Sequence, residues 1–403
     1  MNLKRLSNFF FLALVLLLGT FLVFRNQGHS PFHRKEVTPF THAWDSIIPN
    51  QDIPKGLSSL RAKDCGHCHT EIYQEWKIST HAHAWTDEQY QAELAKNKNL
   101  FICKNCHLPV QNQQQYITTA IYDHDYFQPV RTKNPRFDPS LQHEGITCIA
   151  CHIKENTIIG SHDNIQASHP VKIDTDYLSE KLCIACHDAH DDLAEDLVCT
   201  FETGKEWSQG PYSQKGKNCI SCHMPEVDRP SATGAISRKG HRHYFPGSGI
   251  PKVKGEKAFV LNGLEFAIIG DTLHPTNAPI HLGLRATNQH AGHKVPTGDP
   301  ERHFLIQFDL LKNGEPLQSD TFRIGEKWQW WPTAKKLSDN NLAPLESRFF
   351  EKDYNLKDTS NLSWKVTVSK HRMTQEMHDY HQLSDQYPTS IIVFQRELPI
   401  RFK

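Results

Sequence analysis

Five copies of Cys-x-x-Cys-His take up ten of the chain's eleven cysteines. They are Cys65-Cys68-His69, Cys103-Cys106-His107, Cys148-Cys151-His152, Cys183-Cys186-His187 and Cys219-Cys222-His223. The spacing is a strong constraint because all three side chains of a motif can bond one rigid macrocycle. Two thiols three residues apart form thioethers with the vinyl groups of a porphyrin, and the adjoining imidazole reaches its iron. A thiol redox pair or half of a zinc site would need the cysteines but not the histidine that follows them every time. The chain has 26 histidines, so 21 remain outside the motifs, and haem iron has a use for a second axial ligand. The expectation is five c-type haems with the ten cysteines as attachment points. His69, His107, His152, His187 and His223 would be the proximal iron ligands.

The motifs recur about every 35–45 residues, as in a repeated one-haem module. From Arg61 to Phe245 the sequence has few long apolar periodic runs. Such a chain cannot build an ordinary core, so the macrocycles are expected to supply the missing apolar surface. Short helices are expected around the motifs, for example Glu71 to Trp85 and Asp87 to Lys98, with irregular loops between them. Beyond about Lys257 the cysteines stop and apolar alternation begins, at Leu264 to Ile269, Ile280 to Ala286, Phe304 to Leu311, Trp364 to Val368 and Ile391 to Phe394. Lys312-Asn313-Gly314-Glu315 reads as a hairpin turn. The fold class is therefore multidomain: a mainly α and irregular multihaem domain over 61–250, then an antiparallel β-sandwich of immunoglobulin-like type over 256–403. Residues 31–60, polar and without a sustained period, read as a linker.

Lysine plus arginine and aspartate plus glutamate are equal at 45 each, which leaves no case for nucleic-acid binding. Lys4 and Arg5 precede an apolar run from Phe9 to Phe24 interrupted by Gly19 and Thr20. Residues 1–30 are thus expected to direct export, as a cleaved signal peptide or as an uncleaved anchor with its N-terminus in the cytoplasm. The absence of a small-x-small cleavage pattern near Arg25 favours the anchor, and the rest of the chain would then be periplasmic. Cys199 has no motif partner and reads as a buried, inert thiol.

The stretch Cys65-Gly-His-Cys-His-Thr-Glu-Ile-Tyr-Gln-Glu-Trp76-Lys-Ile-Ser79-Thr-His81 resembles the first module of the cytochrome c-554 type multihaem family. Further segments of similar kind are Glu144 to His152, Ser168-His169-Pro170, Cys219 to Pro225, His243-Tyr-Phe-Pro246-Gly247 and Gly292-His293-Lys-Val-Pro296-Thr-Gly298. A fifth haem site and a β-rich C-terminal region depart from the tetrahaem archetype and match larger relatives. The resemblance implies that His81 (with His83 as its rival), His169, His243 and His293 are distal iron ligands. His190, His124 and, more weakly, His162 are further candidates.

A chain so equipped is expected to carry electrons along its haems between a quinol-linked membrane protein, other cytochromes or reductases, with no catalytic residue of its own. The alternative is an oxidoreductase with one open haem that acts on a small nitrogen or sulfur compound. No Cys-x-x-Cys-Lys site is present, and Tyr122, Tyr126, His124 and Arg131 are the neighbours that could line such a pocket. A third reading, a structural or adhesive role for the sandwich, has only the fold class behind it.

Overall fold

The computed structural model describes residues 35–45, 47–162, 167–256, 261–270, 273–275 and 278–403. The expected export segment at 1–30 lies outside the described residues. Among those described, no helix is long and apolar enough to cross a membrane.

Each attachment motif is wound into about one turn of helix. Helices Phe101–His107, Cys148–His152, Glu180–His187 and Cys219–His223 each contain a whole motif. In the first module the turn is formed by the backbone bond from His69 N–H to Cys65 C=O, 2.9 Å, between helices Ala62–Gly66 and Thr70–Lys77. Residues i, i+3 and i+4 of a helix share one face, so the turn aims both thiols and the imidazole the same way. Side-chain caps hold several of these short helices. The Asn218 carboxamide accepts from Ser221 N–H, and the Ser179 hydroxyl accepts from Lys181 N–H.

Small antiparallel hairpins follow motifs 2, 4 and 5: Tyr116–Tyr122 with Asp125–Lys133, Asp188–Ala194 with Leu197–Glu202, and Glu226–Pro230 with Ser237–His241. The segment read as a linker is a correction, because it is built into this domain. Strand Val37–Pro39 extends the first hairpin as an edge, and Trp44, Asp45 and Gln51 are buried. The apolar contacts that fix this segment come from residues more than fifty positions away, such as Phe101, Ile102 and Tyr126.

Protein-only core in this half of the molecule is divided into small clusters, around Phe101 and Ile102, around Leu141 and Ile149, and around Ala62 and Trp76. Between them runs a cavity of about 2140 Å³ lined by all five motifs. A typical ligand pocket holds roughly 300–1,000 Å³. A void this large in a closely packed protein is space shaped for large guests.

The C-terminal domain has a continuous core instead. Strands Leu264–Ile269, Ile280–Asn288 and Ser347–Tyr354 form one antiparallel sheet in that order. Strands Glu315–Gly325, His303–Lys312, Leu362–His371 and Ser390–Pro399 form the other. Leu282, Leu284 and Phe350 of the first sheet meet Ile306, Phe308, Trp364 and Val366 of the second in one buried cluster. The expected Asn313-Gly314 turn is present, both residues having positive φ (54° and 84°), as a two-residue hairpin requires. This domain is docked on the motif-bearing half. The Tyr387 hydroxyl donates to Asp87, Thr203 and Thr297 share a hydroxyl hydrogen bond, and Ser384 N–H donates to Glu88.

Candidate functional site

Four of the five motif histidines have their Nδ1 against a main-chain carbonyl: His69 on Ser231 (2.6 Å), His107 on Ala84 (2.7 Å), His152 on Ile159 (3.0 Å) and His223 on Pro246 (2.6 Å). A carbonyl only accepts, so Nδ1 must carry the proton and Nε2 is left as a bare lone pair. His243 and His293 are fixed the same way, by the carbonyls of His241 (2.9 Å) and Lys294 (2.7 Å). Burial pushes His81 down to about 3 and His187, His243 and His293 down to about 4, so these rings are neutral. A neutral imidazole with a defined free nitrogen is a metal ligand in waiting.

The structure then brings these rings together in pairs. His69 faces His169, His81 faces His187 and His223 faces His293, each with ring centres 6.3 Å apart, and His152 faces His243 at 6.2 Å. The pairs are too far apart for a hydrogen bond and too close to admit a side chain. An imidazole nitrogen bonds a first-row metal at about 2.0–2.1 Å, and each ring centre lies roughly 1.1 Å behind that nitrogen, so one shared metal atom gives about 6.3 Å. Each gap therefore suits an iron held from both sides, and the donor set fits c-type haem. Of the distal candidates, His81, His169, His243 and His293 all stand opposite a motif histidine.

His190 does not, and that expectation is corrected. It lies exposed on strand Asp188–Ala194 beside Glu202, because the motif-4 helix runs straight into this hairpin and the alternation of the strand turns the ring outward. His124 sits exposed at the tip of its hairpin and His162 is also exposed. The pocket imagined around Tyr122, Tyr126, His124 and Arg131 does not form. Tyr126 points into the core with its hydroxyl on Asp45 and Asp191, while Arg131 is outside over the Tyr116 ring.

His107 is different from the other four. Among the described residues no histidine ring faces it; Tyr90 stacks on it at 3.7 Å, nearly parallel. The Tyr90 hydroxyl is buried without a hydrogen-bond partner. Near this motif lies a group of buried titratable side chains that sequence reasoning missed. Asp87 pairs with Lys252, whose ammonium burial pushes down to about 8. Gln89 Nε2 bridges Glu93 (2.9 Å) and Asp299 (3.2 Å), tying helix Glu88–Lys96 to the C-terminal domain. Burial, and then the charge of Asp299, push Glu93 and Glu301 up to about 8.

Another unforeseen element holds His243. The buried Glu75 carboxylate accepts from both Arg229 nitrogens (2.6 and 2.8 Å), from Arg242 (2.6 Å) and from His243 N–H (2.8 Å). No sequence signal marks Glu75, because its partners are more than 150 positions away. Motif cysteines also meet across modules. Cys65 shares a thiol contact with Cys148, Cys106 with Cys186, and Cys183 with Cys219. Cys199 lies in the same apolar cluster as Cys103 and Cys106.

Residues 64–153 match the family model described as cytochrome c554 and c-prime. A comparison with curated proteins gives no match. Among solved structures, the crystal structure of a penta-heme cytochrome c552 from Thermochromatium tepidum is similar, with a TM-score of 0.58 and 16% identity. The match covers 86% of this chain and 100% of that one. At this identity the likeness is one of fold.

Proposed function

We propose that the chain is a multihaem cytochrome c, a five-haem electron carrier working outside the cytoplasm. When bound, each c-type haem supplies a one-electron iron couple. Everything else is the work of the chain. The ten motif cysteines would anchor the macrocycles, and His69 with His169, His81 with His187, His152 with His243 and His223 with His293 would hold four irons. Two neutral imidazoles leave an iron no site for substrate, which suits transfer and not chemistry. These four pairs are the observation that carries the reading.

The cysteine contacts support a route. Motif 1 abuts motif 3, motif 2 abuts motif 4, and motif 4 abuts motif 5, while Cys151 of motif 3 lies close to Cys186 of motif 4. All five attachment points are thereby joined in one branched series with motif 4 at its centre. Partners would be a quinol-linked membrane protein on one side and a cytochrome or reductase on the other. Covalent haem attachment and the apolar run Phe9 to Phe24 support a periplasmic location with an N-terminal anchor. We read the domain at 256–403 as immunoglobulin-like, since Leu264–Ile269, Ile280–Asn288 and Ser347–Tyr354 form one sheet while Glu315–Gly325, His303–Lys312, Leu362–His371 and Ser390–Pro399 form the other. Its contribution to the carrier is His293.

A second reading is favoured by His107 alone. With no histidine opposite among the described residues and with Glu93, Glu301 and Lys252 able to exchange protons near neutral pH, an iron on His107 could bind a small molecule. The test is direct. Haem content should be five per chain, and EPR of the oxidised protein should show four low-spin irons and one high-spin. Five low-spin irons would remove the second reading, and two or more high-spin irons would contradict the histidine pairs.

A further inference from the structure

His81, His169 and His243 lie in the motif-bearing half, whereas His293 stands on the loop from Gln289 to Gly298 of the C-terminal domain. Among the described residues, His223 with His293 is thus the one facing pair whose two rings come from different domains. Its spacing depends on how that loop is seated. From within its own domain the loop is shaped by Asn288, which is fully buried. Asn288 Nδ2 donates to the His293 carbonyl (2.9 Å), and its Oδ1 accepts from Ala291 N–H (3.2 Å). These bonds give the loop a shape but no fixed distance from motif 5.

One short element of the other domain touches both sides of the pair. Helices Thr203–Ser208 and Pro211–Gln214, joined through Gly210, lie just ahead of motif 5. Towards the motif, Trp207 Nε1 donates to the Lys217 carbonyl (2.8 Å) and Lys217 N–H donates to the Tyr212 carbonyl (3.0 Å). The next residue, Asn218, caps helix Cys219–His223. Towards the loop, one oxygen of the Glu206 carboxylate accepts from Lys294 N–H (3.2 Å) and from the Thr297 hydroxyl (2.8 Å). Thr297 has a single proton to give, so in its bond with Thr203 it accepts, and the three side chains form one directed series ending on the carboxylate. The Tyr212 hydroxyl donates to the Gln289 carbonyl. The two backbones also meet directly. A Cβ on Gly210 would stand 2.9 Å from the Gly292 carbonyl oxygen, and one on Gly292 would stand 3.2 Å from the Trp207 ring.

We propose, resting on the paired-histidine reading of motif 5, that Glu206 is the positioning residue that keeps His293 at bonding distance from the iron on His223. Trp207 is the strut that refers the position of the loop to motif 5. Neighbours that orient a metal-binding histidine count for nearly as much as the ligand itself, and hydrogen bonds to an ionised carboxylate are the stronger kind. Removal of the carboxylate frees the loop and leaves the domain docked, because Tyr387 on Asp87 and Ser384 on Glu88 are untouched.

The test is EPR of the oxidised, full-length, haem-loaded protein, with H293A as the reference. H293A should convert one low-spin iron to high-spin, and an unchanged spectrum would refute the His223–His293 pair itself. With that reference in place, E206A should move part or all of the same low-spin signal to high spin. E206Q, which keeps an acceptor oxygen for both donors, should retain the wild-type spectrum. The double variant E206A/H293A should show no more high-spin iron than H293A, since both changes act on one ligand. An E206A protein that unfolds earlier yet stays as low-spin as wild type would overturn the proposal and leave Glu206 as domain glue alone. Further high-spin iron in the double variant would overturn it too. Should E206A load fewer than five haems, T297V decides, because it removes one hydroxyl and no charge. A high-spin component confined to the signal lost in H293A supports the positioning role, and a wild-type spectrum rejects it.

Discussion

A carbonyl oxygen beside one nitrogen of an imidazole settles what the other nitrogen can do. Five of the eight paired histidines and the unpaired His107 are governed by that rule, and it turns position into chemistry. Replacing His243 with alanine should convert one low-spin iron to high-spin in the EPR spectrum, whereas His190→Ala should leave the spectrum as it is. Glu75 is the residue on which His243 leans. Glu75→Gln leaves Arg229, 7% exposed, with only the longer contact to Glu71 at 3.5 Å. Breaking a buried pair costs about 3–5 kcal/mol, which should appear as a lower unfolding midpoint. A high-spin component should accompany it, and the destabilisation without any spectral change would separate the carboxylate from the ligand. Burial raises the pKa of Glu75, but the hydrogen bonds from Arg229, Arg242 and His243 N–H together hold it below the usual range.

At the scale of elements, the helix Glu88–Lys96 and the loop that follows Pro296 meet through carboxylates that burial keeps protonated. Glu93 and Glu301 are each pushed up to about 8, so between about pH 4.5 and 8 the folded chain binds protons that the unfolded chain has released. Stability from this contact is therefore present at low pH and falls as pH rises through that window. Glu93→Gln should flatten the slope, measured as denaturant midpoints at pH 5, 7 and 9; an unchanged slope would place the titration elsewhere. The elements themselves were largely legible beforehand. The alternation at Phe304 to Leu311 and Trp364 to Val368 became the two central strands of a sheet, and Asn313-Gly314 became its hairpin turn. The fate of residues 37–60 was not legible, because Val37–Pro39 is a strand only by pairing with Tyr116–Tyr122.

Over the whole molecule, the two halves are held together by different means. The C-terminal domain has an apolar core of its own, with Phe308 and Trp364 inside it, while the other half wraps small apolar clusters around one large cavity. A variant with the motif cysteines changed to serine, and so without haem, should lose order over 61–250 and keep the strands of the C-terminal domain. Limited proteolysis followed by mass spectrometry would show this as a resistant fragment starting near residue 260. Equal resistance across the whole chain would mean that the protein part alone folds around an empty cavity.

The covalent chemistry of this chain was determined by its sequence, since Cys-x-x-Cys-His acts within about one helical turn and needs nothing distant to aim its three side chains. The strand pattern of the C-terminal domain was local in the same sense, a matter of period two. Which histidine faces which motif histidine was decided only by the tertiary structure. His81 stands opposite His187 and not its own motif's His69, and His190, three residues beyond His187, meets no motif histidine at all. Axial partners lie many tens of residues apart, and spacing carries no information across such a separation.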